Sequence, residues 1–352
     1  MPGIPNPKGC PPFCKVPSRS PKISVILPVY NAESTILTAV QSILNGSFKQ
    51  LELIVADDGS GDLTLQKLET IRDPRLRILK GTHQGVAATA NRAAAEAQAE
   101  WVARMDADDM AHPHRLKSQW QYAQRTGCNL VSGWLRIVDL KGKPVKTMQR
   151  YENWLNSLTH HERIMASRFI ELPLPNPTIL AKRSFFQNGC RKGPFPEDYD
   201  HWLNILSKPE VKAGKVKSTI LDWRDHTRRL TRSDRRYSTQ AFTDCKRTHL
   251  LKGPLKRRKK VALWGAGQTG KPWLRWLLEE GFQVPYVVDV SPKKIGQTIH
   301  GVTIIAPEEL PSPSKSNPTL LGAVGAAGAR EQIKTFLNSK GYDADLDILF
   351  VA

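Results

Sequence analysis

The stretch Trp101-Val-Ala-Arg-Met-Asp-Ala-Asp-Asp109 decides how the chain is read. An apolar run ends in three clustered carboxylates, Asp106, Asp108 and Asp109. A short run of this kind reads as a buried strand that reaches the rim of a sheet. Carboxylates so close repel one another unless a cation lies between them. Hard divalent ions such as Mg²⁺ take one or two carboxylates together with substrate phosphates. The residues suggest a metal–diphosphate site, although an acidic loop, or an Asp capping the next helix, would carry the same letters.

Upstream, the pattern repeats. Ile23-Ser-Val-Ile-Leu27 is a β-branched strand broken by Pro28-Val-Tyr-Asn31, with Asn31 expected to cap a helix carrying Ile36, Leu37, Val40, Ile43 and Leu44. Leu51–Ala56 is a second strand, ending in Asp57-Asp58-Gly59-Ser60, and a helix is expected from about Asp62. Leu76–Leu79 is a third strand, followed by an Ala-rich helix over 85–99. Alternation at this pitch predicts an α/β fold with a parallel sheet and helices on both faces. Ligands of such sheets lie beyond the carboxyl ends of the strands. Three of those ends here carry unusual chemistry: Pro28–Tyr30, Asp57–Asp58 and Asp106–Asp108.

In order and spacing, SVILPVYNAE, LIVADDGSGD, HQGVAATANRA and WVARMDADDMAHPHRL resemble the family 2 glycosyltransferases of the GT-A fold across roughly residues 22–120. The resemblance implies a nucleotide-diphospho-sugar donor, a UDP-sugar by preference, and transfer with inversion to an acceptor hydroxyl. It also implies that Pro28, Val29, Tyr30, Glu33 and Asp57 or Asp58 line the nucleoside pocket. Asp106 would face the ribose or the metal, and Asp108 would ligate Mg²⁺ or Mn²⁺. A saccharide or lipid-linked acceptor, as in cell-surface polysaccharide or glycoconjugate synthesis, follows by analogy.

Downstream, His112 and His114 flank Pro113 and offer a third metal ligand or simple surface residues. A strand is expected over 129–138, one polar amphipathic helix over 152–168, read as a solvated helix or one that flanks an acceptor site, and an extended element over 175–180. Asn176 stands where the family often has His, and Asn188-Gly189-Cys190-Arg191 departs from the family's paired Gly and aromatic. Pro196-Glu-Asp-Tyr-Asp-His-Trp-Leu203 opens a helix whose first turn is acidic, a placement the helix dipole favours on its own. By resemblance to the family's ED motif, Asp198 is the general base, with Glu197 as its alternate. Residues 224–236 hold six Arg against two Asp. Guanidinium forks match phosphate oxygens, so one or two of Arg228, Arg229 and Arg232 are expected at the donor diphosphate, the alternative being a solvated basic face.

A second domain is expected from Val261 after a basic linker over 246–260, with a disordered tail over 1–21 and the transferase domain over 22–245. Strand Val261–Trp264 leads into Gly265-Ala-Gly-Gln-Thr-Gly270 and a helix over 272–280, with Asp289 closing a strand over 284–288. This is the dinucleotide arrangement. Gly265 would permit the turn, Gly267 would let a pyrophosphate approach, and Gly270 would allow helix–strand packing. A small Rossmann-like domain follows, which would bind a dinucleotide or CoA-like ligand or serve structurally. Strands are expected later over 320–324 and 348–351.

The net charge is +19. Residues 261–352 hold 8 Lys/Arg and 9 Asp/Glu, a net of −1, which leaves +20 on the first 260. That asymmetry suits an anionic partner: the donor, or an anionic membrane touched peripherally. No stacking pattern supports nucleic acid. Five scattered Cys without a CxxC suggest reduced thiols, and no run reaches the roughly 18 apolar residues of a membrane span. A cytoplasmic protein is expected. The competing readings are a catalytically silent nucleotide-binding regulator, and an NAD(P)-dependent oxidoreductase acting through the C-terminal domain.

Overall fold

The computed structural model describes residues 20–227, 229–314 and 316–352. Arg228 and all of the N-terminal tail except Ser20 and Pro21 lie outside them. In chain order the elements around the first sheet are β1 (Ile23–Val29), α1 (Ile36–Leu44), β2 (Leu51–Asp57), α2 (Thr64–Glu69), β3 (Leu76–Leu79), α3 (Val86–Ala95), β4 (Trp101–Arg104), β5 (Met110–Ala111), α4 (Arg115–Thr126), β6 (Leu130–Val138), α5 (Gln149–Ser157), α6 (His161–Ser167), β7 (Leu180–Lys182), α7 (Glu197–Leu206), β8 (Ala213–Arg224), α8 (Leu230–Ser233) and α9 (Thr239–Lys252). The strand order is β3-β2-β1-β4-β7-β6-β8-β5.

Strands β3, β2, β1 and β4 run parallel, as the alternation of apolar runs and helices predicts. Every residue of β1 and β2 is buried, so neither strand alternates polar and apolar. The register sets Val29 beside Asp57 and Ile26 beside Arg104, and the Asp58 and Met105 amides donate to the carbonyls of Val29 and Ile26. The three chemically unusual strand ends therefore share one edge. The second half of the sheet is mixed, because β7 runs antiparallel to both β4 and β6, and β5 antiparallel to β8.

Three local expectations are corrected. Asn31 does not cap α1. It sits at φ +48°, and its side-chain oxygen accepts the Gly61 amide. The single helix expected over 152–168 is two, α5 and α6, broken at Leu158, whose ψ of 76° is not helical. The break lets the Thr159 carbonyl take the Lys215 amide from β8. Nor is α5 a solvated helix: Leu155 is fully buried, and the Glu152 carboxylate caps the Ile137 amide.

The C-terminal sheet comprises β9 (Val261–Trp264), α10 (Gly270–Glu279), β10 (Val287–Val288), β11 (Thr298–Ile299), β12 (Val302–Ile305), β13 (Thr319–Gly322), α11 (Ala329–Ser339) and β14 (Ile348–Phe350), in the order β11-β12-β10-β9-β13-β14. The order reverses between β9 and β13, both of which end in Gly-rich turns. The basic stretch over 246–260 begins inside α9. Leu250 and Leu255 are buried in an apolar cluster shared by Ile164, Tyr199, Val261 and Val351. Apolar side chains from both sheets thus pack in one continuous cluster.

Candidate active site

A cleft of about 540 Å³ opens at the shared edge of β1, β2 and β4. One wall is the turn after β1, with Pro28, Val29 and Tyr30. The Tyr30 and His83 rings lie 4.3 Å apart at its mouth, and Tyr30 is half exposed. Asp58 stands behind them. Its carboxylate accepts the Gln84 and Gly85 amides (both 2.9 Å) and the Thr89 hydroxyl (2.6 Å). Burial alone would raise its pKa, but those donors outweigh it and hold Asp58 below the ordinary value. Neither Asp57 nor Glu33 lines the cleft. Asp57 is turned into its own loop, accepting the Gly59 and Ser60 amides, while Glu33 accepts the Leu63 amide.

The loop after β4 supplies the acids. Asp106 and Asp108 face the cleft, while Asp109 is buried and accepts the Arg224 amide at 2.9 Å. Beneath the loop lies the fully buried Arg115, which donates to the Arg104 carbonyl at 2.6 Å. Burial followed by the charges of Asp108 and Asp106 drives Asp109 well above the ordinary carboxylate value. Burial also raises Asp106, with Asp108 adding to it against Arg104. Asp108 is the exception. Burial works upward there too, but His226 and Arg229 hold it below the ordinary value.

His226 is the residue that sequence reasoning did not single out. It follows β8, and its Nε2 lies 2.8 Å from Asp108 Oδ2. No motif marks it, and 118 positions separate the two residues. His112 and His114, the histidines close in sequence, are elsewhere: His112 pairs with Asp222 at 2.8 Å, and His114 meets the Ser47 hydroxyl. Asp106, Asp108 and His226 bring carboxylate and imidazole donors, the ligand types Mg²⁺ and Mn²⁺ take, to one wall of the cleft. The raised acids around them show that the chain's own cations leave the cluster undercompensated.

Across the cleft, the first turn of α7 presents Glu197 and Asp198. Asn91 pins the preceding loop, accepting the Cys190 amide at 2.7 Å and donating to its carbonyl at 2.9 Å. Arg191 and His249 hold Asp200 from outside the turn. Both oxygens of Glu197 accept from the Tyr237 hydroxyl, at 2.7 and 2.8 Å. Among the described residues Asp198 accepts only the amide of its neighbour Tyr199. Burial, then the Glu197 charge, pushes Asp198 up to about 7.

Of the expected arginines, Arg229 lines the cleft over the Trp223 ring (4.2 Å), and Arg232 is tied to Asp225. Arg228 lies outside the described residues. Arg236 lines the cleft instead. A second donor group among the described residues, Asp200, Cys245 and His249, is buried. It is already paired internally, since Asp200 is bound to Arg191 and His249, and burial keeps the Cys245 thiol protonated, with its pKa pushed to about 12.

Residues 24–189 match the family described as Glycosyl transferase family 2, and residues 256–341 match the CoA binding domain. A glycosyltransferase of Haemophilus influenzae, itself uncharacterized, is 33% identical over 207 residues, which cover 57% of this chain and 75% of that protein. This chain belongs to glycosyltransferase family 2. A second uncharacterized glycosyltransferase of H. influenzae is 31% identical over 198 residues, 53% of this chain and 60% of its own length, so the family 2 chain spans less than two thirds of it. The O-antigen biosynthesis glycosyltransferase WbnJ of Escherichia coli is 27% identical over 242 residues, 67% of this chain and 90% of that one. The crystal structure of S. aureus TarS 1-349 in complex with UDP-GlcNAc shares the fold at a TM-score of 0.53 and 20% identity, over 66% of this chain and 67% of that one.

In the C-terminal sheet of this family 2 transferase the glycines act as the fingerprint requires of the backbone. Gly265 has φ +114°, a Cβ on Gly270 would lie 1.8 Å from the Gly265 carbonyl oxygen, and one on Gly267 would meet nothing within 4 Å. Asp289 does not offer a free carboxylate. It accepts the Ala266 amide (2.8 Å), the Ser291 amide (2.9 Å) and the Lys294 ammonium (3.0 Å). No helix among the described residues is long and apolar enough to cross a membrane.

Proposed function

We propose that this chain moves a sugar from a nucleotide-diphospho-sugar to an acceptor hydroxyl, with inversion at the anomeric carbon. The observation that carries the reading is the position of Asp198, open to the same cleft as Asp106, Asp108 and His226 while Glu197 is tied to Tyr237. Asp198 takes the acceptor proton as the acceptor oxygen bonds to the anomeric carbon. The bond to the diphosphate oxygen breaks, and its electron pair leaves with the nucleotide. Attack from the side opposite the leaving group inverts the carbon. Asp106, Asp108 and His226 would hold Mg²⁺ or Mn²⁺, which when bound offsets charge on the leaving diphosphate. Arg229 and Arg236 offer guanidinium donors to the same phosphates. Tyr30 and His83 give the nucleobase a stacking surface, with Pro28 and Val29 beneath it.

A UDP-sugar donor is supported by the fold shared with TarS, whose structure holds UDP-GlcNAc. A role in surface polysaccharide synthesis is supported by the kinship to WbnJ, an O-antigen enzyme by name. For the C-terminal domain a CoA-like or dinucleotide ligand is proposed at the crevice between the ends of β9 and β13, where Gly267 is open. Exposed Lys256, Arg257, Arg258, Lys259 and Lys260 suit an anionic membrane surface.

The test is release of UDP or GDP from a panel of nucleotide sugars, with and without Mn²⁺. Metal-stimulated turnover that Asp108→Ala abolishes is the expected result. Nucleotide binding without turnover would instead favour the silent regulator. Thermal shift with CoA, NAD⁺ and NADPH tests the second domain.

A further inference from the structure

The transfer step constrains where the moving sugar lies. Its anomeric carbon stands between the diphosphate oxygen it leaves and the acceptor oxygen it joins. On the proposed transfer, the diphosphate lies at Asp106 and Asp108 and the acceptor hydroxyl at Asp198. The ring therefore spans the cleft between those acids. Arg104, which also lines the cleft, lies in that span.

Arg104 closes β4 and is only 4% exposed. On one side its Nη2 lies 3.4 Å from Asp106 Oδ1. On the other it acts on α7 and the loop before it. Burial and the Glu197 charge raise Asp198, and the Arg104 charge works against them. Burial likewise raises the Cys190 thiol, and Arg104 again opposes it. One guanidinium thus stands between the metal-side acids and the base.

A guanidinium carries several N–H donors in a fixed fork. Among the described residues that of Arg104 makes one hydrogen bond, from Nη1 to the Met105 carbonyl at 3.0 Å. A nearly buried cation with spare donors is costly unless another oxygen comes to it. The open side of Arg104 is the cleft, so that oxygen belongs to a ligand. The donors are also held in place beforehand. The Arg104 amide donates to the Ile179 carbonyl at 2.9 Å, and the Arg104 carbonyl accepts from buried Arg115 at 2.6 Å. Groups fixed in advance bind at a low ordering cost. The other cleft arginines are engaged differently: Arg229 lies over the Trp223 ring, and Arg236 is tied to Asp234.

We propose that Arg104 binds the sugar of the donor, donating to a hydroxyl or carbonyl oxygen on the edge of the ring that lies between Asp106 and Asp198. The proposal rests on the transferase reading and names the residue by which that site tells a nucleotide sugar from a bare nucleotide.

Calorimetry on the full chain with Mn²⁺ compares UDP and GDP with each nucleotide sugar of the donor panel. Electron paramagnetic resonance follows Mn²⁺ binding itself. Arg104→Gln should weaken nucleotide-sugar binding by about ten- to a hundredfold, the loss expected for a hydrogen bond from a charged group. The affinities for Mn²⁺ and for the bare nucleotide should stay near those of the wild type. Arg104→Lys should recover part of the loss, which a misfolded protein would not do. Deoxy analogues of the bound donor supply the pairwise test. Removing the contacted oxygen should cost the wild type about tenfold and the Arg104 variants little. If Arg104→Gln does not fold, Arg104→Lys with the deoxy analogues makes the same comparison.

An Arg104→Gln protein that binds nucleotide sugars as the wild type does overturns the proposal. So does a fall in Mn²⁺ and bare-nucleotide affinity as large as the fall for nucleotide sugars, the mark of a group that only props the acidic loop. Nucleotide-sugar binding that depends on Arg104, with no turnover by the wild type, would uphold the contact and defeat the transferase reading. Turnover by the wild type that Arg104→Gln leaves intact would do the reverse.

Discussion

At the rim of the first sheet, Asp106 and Asp198 stand partly exposed at the cleft and Asp109 is buried beside them, and all three are pushed above the ordinary carboxylate range. At the rim of the second sheet, Asp289 occupies a similar place after a strand, yet two amides and an ammonium satisfy it, and they outweigh burial to hold it low. The same residue type at the same kind of position therefore does opposite things. In the reading proposed above, the uncompensated acids would hold a cation and take a proton, whereas the compensated acid ties a loop. Glycine is the mirror image. In the second sheet it is the backbone that is specialised, with Gly270 against the Gly265 carbonyl, and the acid merely supports the turn.

The largest effect that could break this contrast is at Asp198. Asp198→Asn removes the proton acceptor and should lower nucleotide-sugar turnover by about 10²–10⁴-fold, read as UDP or GDP release. The same change should raise the melting temperature. Because the folded-state pKa lies above the ordinary value, the ionised carboxylate costs stability as pH rises through about 7. The gain over the wild type should thus be larger at pH 8 than at pH 5.5, and a substituted protein that melts lower at pH 8 would remove the claim of frustration.

Gly270→Ala comes next. Its methyl carbon would sit 1.8 Å from a backbone oxygen that cannot retreat without moving the turn. A loss on the order of 2–4 kcal/mol in the C-terminal sheet is expected, seen as early protease cleavage beyond Val261. Gly267→Ala, which meets no atom, should be far milder for folding.

A pH profile is the third probe. In the rising limb kcat/KM should climb about tenfold per unit and level off near 7 as Asp198 ionises. Saturating Mn²⁺ should move that limb to lower pH, since a nearby cation favours the carboxylate. A flat profile from pH 5.5 to 8 would take the base assignment away.

The smallest effect is at Asp289. Its depressed pKa means its contribution is present at neutral pH and lost as pH falls through the folded value. Asp289→Asn should therefore destabilise at pH 7 by about 1 kcal/mol, opposite in sign to Asp198→Asn. Equal signs for the two would dissolve the contrast between the sheets.

Much of this was legible in the chain itself. Strands β1 to β4 are apolar runs, and the tips of β2 and β4 carry the acids within a few positions, so local pattern and local chemistry coincide. The strand β8 was not legible, because it reads KVKSTILDWR and contains Lys215, whose ammonium is buried and donates to the Leu155 carbonyl at 2.6 Å. Nothing local announces a strand that buries a lysine. With β8 went His226, which lies at its end, and the antiparallel strand β5 that pairs with it. The break between α5 and α6 was hidden for the same reason, since it is made by contact with β8.

By itself the sequence determined the parallel half of the first sheet, the glycine turn of the second, and which acids stand at strand tips. Those depend on periodicity and on residues a few positions apart, where chain geometry leaves little choice. Tertiary structure alone decided which acid is free and which is tied: Asp198 open while Tyr237 occupies Glu197, Asp58 in the cleft while Asp57 is turned away, His226 on Asp108 while His112 and His114 are not. A carboxylate's role depends on the donors around it, and those donors come from parts of the chain that meet only when the sheet closes.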